Sequence, residues 1–203
     1  MSDPSAHWDS VFAAKRPNQM SWFQNDPTLS LTLIAQWARP SDSVIDIGAG
    51  SSLLVDRLLD LGWRDITLLD VSDEALALTR ARVADSMQYL TLVNADVRHW
   101  DPSRRYDVWH DRAALHFLVD AAEREHYVGA VLHALSPGGV LVIAAFAPDG
   151  PDQCSGLAVR RYDVDDLVDM FGPHFSLEDS RREEHATPFG TVQPFTWVVL
   201  RRR

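Results

Sequence analysis

Residues 44–52 read Val-Ile-Asp-Ile-Gly-Ala-Gly-Ser-Ser, and this stretch limits the fold more than any other in the chain. Val44, Ile45 and Ile47 fit a strand buried on both faces, as the central strands of parallel sheets are. Gly48 and Gly50 let the backbone turn sharply while keeping its surface clear for a ligand. Ser51 or Ser52 is placed to cap a helix running through Leu61, with Gly62 as its C-terminal stop. A strand, a glycine turn and a helix in this order predict the first βα unit of a doubly wound α/β sheet, where ligands sit at the carboxyl ends of the strands.

What the turn lacks narrows the ligand. A dinucleotide fingerprint needs a third glycine at position 53 and a loop free of anions, because the pyrophosphate lies on the helix N-terminus. Position 53 is Leu, and Asp46 stands two residues before Gly48. A carboxylate there repels pyrophosphate but suits a ligand with a cationic amino group and no phosphate. S-adenosylmethionine has both properties, and the helix N-terminus can face its carboxylate. Twenty residues beyond Gly50, the run Ile66-Thr67-Leu68-Leu69 ends a second strand on Asp70, a position suited to accepting both ribose hydroxyls. A third strand, Tyr89 to Val97, ends near Asp96, placed to accept from an adenine amino group.

These three signals, in this order and at βα spacing, resemble the class I S-adenosylmethionine-dependent methyltransferases, the small-molecule and type 12-like members among them. The resemblance runs from about Ser43 to the C-terminus. It implies a Rossmann-like, seven-stranded sheet of order 3-2-1-4-5-7-6 with strand 7 antiparallel. Matched to the family motifs, Asp46, Gly48, Ala49 and Gly50 fall on the first cofactor motif, Asp70 and Val71 on the ribose acid, and Asp96 and Val97 on the adenine-binding segment. His110 and Trp22 complete the expected cofactor set.

Ahead of the first strand, Trp8, Val11, Phe12 and Lys15 make a helical stripe that begins near Ser5 and ends at Pro17. A second helix is expected with Asp26 as cap and Pro27 as its first residue, burying Leu29, Leu33, Ile34 and Trp37. The chain thus reads as one domain, with residues 1–42 a helical lid and 43–203 the core. Trp22 is a candidate lid residue over the cofactor; the alternative is that Trp22 and Phe23 staple the segment to the sheet. Trp8-Asp9 followed by Ser21-Trp22-Phe23 resembles the openings of some small-molecule and protein-lysine methyltransferases. Lysine enzymes tend to carry Asp-Lys-Gly after strand 4, where this chain has Asp111-Arg112-Ala113.

The acceptor pocket is expected beyond the fourth strand, Tyr106 to His110, which lies beside the first at the topological switch point. There Asp111 is a candidate to orient the acceptor's proton, His116 a candidate general base and Arg112 a candidate holder of an acidic substrate group. Each has a structural alternative, as an ion pair or a hydrogen-bonded core histidine. The spacing from His110 to His116 matches no zinc motif, and no metal is expected. Ser72, with Asp73 and Glu74 behind it, announces the helix after strand 2, and Asp163 caps a later one. Phe175–Leu177 and Gln193–Leu200 read as the closing antiparallel pair.

Methyl transfer from a sulfonium needs an in-line nucleophile about 3 to 3.5 Å from the methyl group and no covalent intermediate. The expected activity is therefore S-adenosylmethionine-dependent methylation of a small-molecule acceptor by direct displacement. The alternatives are a protein lysine as acceptor, a non-catalytic cofactor-binding module, and a dinucleotide oxidoreductase, disfavoured by Leu53 and Asp46. A net charge of −10 argues against a nucleic-acid partner. The absence of an apolar run of roughly 18 residues and of a signal-like start leads to the expectation of a cytoplasmic protein without a membrane partner. The single cysteine, Cys154, excludes an internal disulfide.

Overall fold

The computed structural model describes residues 4–203. Strands β1 (Val44–Ile47), β2 (Ile66–Asp70), β3 (Leu90–Asn94), β4 (Tyr106–Arg112), β5 (Leu135–Phe146), β8 (Phe175–Ala186) and β9 (Val192–Arg202) form one sheet. Their order is β3-β2-β1-β4-β5-β9-β8, with β9 antiparallel to both neighbours. This is the expected 3-2-1-4-5-7-6 topology; a two-residue hairpin, β6 (Gln153–Cys154) with β7 (Leu157–Ala158), shifts only the count.

Alternation along the strands sorts side chains onto two faces. Ile45, Ile47, Trp109, Leu141 and Ile143 point to one, where α5 (Ala121–Ala134) and α6 (Val164–Phe171) supply Tyr127, Val131, Leu167 and Phe171. Val44, Val108, Val140 and Val142 point to the other, against Leu33 and Ile34 of α2 (Thr28–Trp37), Leu54 and Leu58 of α3 (Leu54–Asp60) and Leu76 of α4 (Asp73–Arg82). With both faces covered, β1 and β2 are buried throughout, which explains their nearly unbroken apolar runs. Each fully buried Leu or Ile contributes about 1.5–3 kcal/mol.

Some helix signals act as expected. The Ser72 hydroxyl accepts the Ala75 N–H at 3.1 Å and Asp163 accepts that of Asp166 at 2.8 Å. Two do not: Leu53 is the N-cap of α3 without a side-chain capping bond, Ser52 accepting the Leu54 N–H from one residue earlier, and Pro27 is itself the N-cap of α2, with ψ at 54° outside the helical range. β4 and β8 outrun their sequence signals. β4 continues to Arg112, and β8 continues to Ala186 as a charged edge strand whose mixed burial hides it from a periodicity reading.

α1 (Pro4–Ala14) lies against α4, and α2 against α3 and β5. Among the described residues no helix is long and apolar enough to cross a membrane.

Candidate active site

The turn after β1 is held open by sterics. Gly48 has φ +62°, and a Cβ there would stand 2.8 Å from the Ala114 Cβ. Gly50 has φ +53°, and its Cβ would lie 3.2 Å from the Phe12 ring and 3.8 Å from Asp70 Oδ2. Across the turn, Ala113 adopts φ +73°, a conformation costly for a residue with a Cβ. It bends the chain out of β4 so that Ala114–Leu118 folds back over the glycines.

A cavity of about 400 Å³ opens on this turn at the carboxyl edge of the sheet. One end is lined by Gly48, Gly50, Asp70, Val71, Asp96 and Val97. The other is walled by Arg112, His116, Phe117, Phe146, Cys154 and Phe195, at the tips of β4, β5 and β9. Trp8 and Phe12 of α1, with Trp22, cover it; Trp8 meets Phe117 and Trp22 edge-on at ring distances of 5.1 and 5.7 Å.

At the first end Asp70 spans the turn and the start of α4. Its Oδ2 accepts the Gly50 N–H at 2.7 Å and its Oδ1 that of Ser72 at 2.8 Å. Burial pushes its carboxyl up to about 6, although both N–H groups pull the other way. Asp9, from α1, accepts the Ser72 hydroxyl at 2.7 Å and so ties the N-terminal helix to the same place. Asp96 is gripped by Arg98, whose Nε donates to both its oxygens at 2.9 Å and which also reaches Glu123 at 3.0 Å. Burial works to raise the Asp96 carboxyl, but the bonds from Arg98 outweigh it and hold it below the ordinary value. Arg98 and Glu123 were not legible as site residues.

The inner end is different in kind. The Arg112 guanidinium is buried, with Cζ 4.6 Å above the centre of the Phe195 ring and Nη1 donating to the Trp22 carbonyl at 3.2 Å. Its Nε lies 3.6 Å from Glu183 Oε2, and neither Nε nor Nη2 has a hydrogen-bond partner. Burial draws the guanidinium down from its ordinary value, against the pull of Glu183. His116 packs its ring 4.5 Å from both Phe117 and Phe146, and both its nitrogens lack partners. Burial, reinforced by Arg112, lowers it to about 3, so the ring is neutral across the physiological range. Burial raises the Cys154 thiol, which is therefore protonated.

Four of the expected site residues lie elsewhere. Asp46 and His110 are register partners on β1 and β4, facing α2, where Nδ1 of His110 sits 2.7 Å from Asp46 Oδ1 and Nε2 3.0 Å from the Ser30 hydroxyl. With Ala49 they border a separate space of about 50 Å³ behind the turn, which Gly48, Trp22 and Arg112 also touch. Asp111 is corrected more sharply. Because β4 runs on to Arg112, Asp111 points to the opposite face from His110, into the α5 core, and does not line the cavity. There it accepts the Tyr127 hydroxyl at 2.7 Å and the N–H groups of Ala114 and Leu115. Its carboxyl is pushed by burial up to about 6, and its observed role is to hold the turn at the end of β4.

The sheet order, with a single antiparallel strand and a glycine turn at the switch point, defines a Rossmann-like methyltransferase fold. A family model described as "Methyltransferase domain" matches residues 44–139 of the chain. Two curated relatives are the mouse (Mus musculus) eEF1A lysine and N-terminal methyltransferase and a Yersinia pseudotuberculosis trans-aconitate 2-methyltransferase. The first is 22% identical over 84% of this chain and 27% of its own length, the second 27% identical over 66% and 54%. The chain thus spans about a quarter of the first relative's length and about half of the second's. Among solved structures, the Burkholderia thailandensis 1,6-didemethyltoxoflavin-N1-methyltransferase, with 1,6-didemethyltoxoflavin and S-adenosylhomocysteine bound, superposes with a TM-score of 0.73 at 22% identity, covering 100% of this chain and 91% of that one.

Proposed function

We propose that this protein transfers the methyl group of S-adenosylmethionine to a small-molecule acceptor. One observation carries the reading: a single cavity joins the glycine turn and the Asp70 and Asp96 carboxylates to an enclosed aromatic end. The glycines fit the cofactor because any Cβ at position 50 would fill the space over the turn. Asp70 receives the ribose hydroxyls on the lone pairs left free by Gly50 and Ser72, and Asp96 and Val97 border the adenine. When bound, the cofactor supplies an electrophilic methyl group on a sulfonium. The acceptor's lone pair forms the new bond to that carbon as the carbon–sulfur bond breaks, and S-adenosylhomocysteine leaves.

The chain's own contribution is positioning and the exclusion of water. Phe117, Phe146 and Phe195 make the acceptor end apolar, and α1 with Trp22 acts as the lid over it. Neutral His116 is too weak a base to take a proton from an alkylammonium, and it serves as a hydrogen-bond partner for an acceptor that is already deprotonated. The same feature disfavours the lysine reading raised by the mouse relative, since an ammonium would also face the buried Arg112 cation. We place the protein in the cytoplasm.

Calorimetry with S-adenosylhomocysteine and with NAD tests the cofactor assignment; NAD binding alone would refute it. Incubation with methyl-labelled cofactor and cell extract tests the acceptor class. Label in the low-mass fraction is expected, and label confined to macromolecules would favour the lysine reading.

A further inference from the structure

We propose, resting on the methyltransferase reading, that the inner end of the cavity is a carboxylate-binding subsite in which the Nε and Nη2 edge of Arg112 anchors the acceptor. A guanidinium takes a carboxylate side-on with two parallel N–H bonds, and the Nε/Nη2 edge is one of the two that can do so. In this protein that edge is the unsatisfied one: Nη1 is used by the Trp22 carbonyl, while Nε and Nη2 are buried without hydrogen bonds. Buried charged donors are rarely left in this state, because the lost hydration is not replaced.

Glu183 does not fill the vacancy. Its oxygens accept from Gln24 at 2.6 Å and from the Trp197 indole at 3.0 Å, and it stands 3.6 Å from Nε, beyond hydrogen-bond range. It forms an ion pair with Arg112 at Nε but makes no hydrogen bond to Nε or Nη2. The neighbouring His116 adds two unpartnered ring nitrogens on the same wall, one able to donate to an oxyanion. Phe117, Phe146 and Phe195 supply a flat, apolar surround that suits a planar acceptor body and strengthens the ion pair by excluding water.

Charge selects among possible occupants. A cationic acceptor meets the guanidinium. A phosphate dianion places two negative charges beside Glu183. A carboxylate adds one, where the cofactor's sulfonium adds one positive charge. Held side-on, both carboxylate oxygens are engaged, so the subsite anchors the acceptor and leaves another of its atoms as the nucleophile.

The test is calorimetry on the full chain saturated with S-adenosylhomocysteine, titrated with benzoate, phenylacetate and trans-cinnamate, each against its neutral amide and against inorganic phosphate. At least one carboxylate is expected to bind tenfold or more tightly than its amide, with phosphate not competing. Arg112→Gln is expected to abolish that preference while S-adenosylhomocysteine affinity stays within twofold. Equal binding of acids and amides, displacement by phosphate as effective as by the acids, or an undiminished preference in Arg112→Gln overturns the proposal. Should that variant fail to fold, the acid-to-amide ratio of the unaltered protein decides alone. Failure to bind S-adenosylhomocysteine at all would instead refute the methyltransferase reading, and the subsite with it.

Discussion

Replacing His116 by Phe converts a buried, unpartnered imidazole into an apolar ring among Phe117, Phe146 and Phe195, and the consequence depends on pH in a calculable way. In the unfolded chain this histidine titrates near 6.5, whereas in the fold burial and Arg112 lower it to about 3. Between these values the unfolded state binds a proton that the folded state refuses, so the stability contributed by a neutral His116 is present above 6.5 and lost as pH falls toward 3. From pH 7 to pH 5 the loss amounts to about 2 kcal/mol, or about 4–8 °C in Tm for a domain of this size. Asp70 and Asp111, both raised to about 6, act with the opposite sign: they protonate first in the folded state, so their contribution grows as pH falls through that value. They partly mask the histidine in the unaltered protein, as do other groups. The informative quantity is therefore the difference between the variant and the parent, in which these groups are common. His116→Phe should be the more stable protein at pH 7, by about 1 kcal/mol or more, because two orphaned nitrogens disappear. Its advantage should then widen by about 4–8 °C when thermal denaturation is repeated at pH 5. A Tm difference that stays constant between the two pH values would refute the assignment of His116 as a buried neutral ring.

Asp111→Ala leaves the Tyr127 hydroxyl and two buried N–H groups unpaired, and should lower unfolding free energy in urea by about 3 kcal/mol while leaving S-adenosylhomocysteine affinity within about twofold. Unchanged stability with lost turnover would return Asp111 to the reacting centre. Asp70→Asn should weaken S-adenosylhomocysteine binding about ten- to hundredfold, or about 1.5–3 kcal/mol, by calorimetry; unaltered affinity would remove Asp70 from the site. Gly48→Ala must hold φ near +62° with its Cβ 2.8 Å from that of Ala114. It should bind the nucleoside poorly and melt several degrees lower, and parent-like values for both would show that the turn tolerates a side chain.

The glycine-turn half of this molecule is written locally. A strand, a glycine turn and Gly62 lie within a few residues of one another, and the spacing to Asp70 and Asp96 follows from βα geometry, so the fold order is readable from the chain. Asp111 was misplaced because alternation assigns a side chain only once the strand's end is known, and nothing local marks β4 as reaching Arg112. The same alternation, applied to the longer strand, separates His110 from Asp111 onto opposite faces. Asp46 reads as a cofactor acid from its charge and its place before the glycine turn, whereas its partner comes from the neighbouring strand in register. Glu183 shows the limit plainly. It meets Gln24, 159 residues away in sequence, on a polar edge strand that no hydrophobic pattern announces.

The paired strands β8 and β9 have a consequence for how such a protein diversifies. β9 brings Phe195 to the inner end of the cavity and β8 brings Glu183 to the Arg112 guanidinium, and both residues lie beyond the span 44–139 that the family model recognises. Part of the cavity's inner wall is thus supplied from outside the stretch that carries the glycine turn, Asp70 and Asp96. Substitutions in the terminal hairpin can reshape that wall while the turn keeps its geometry.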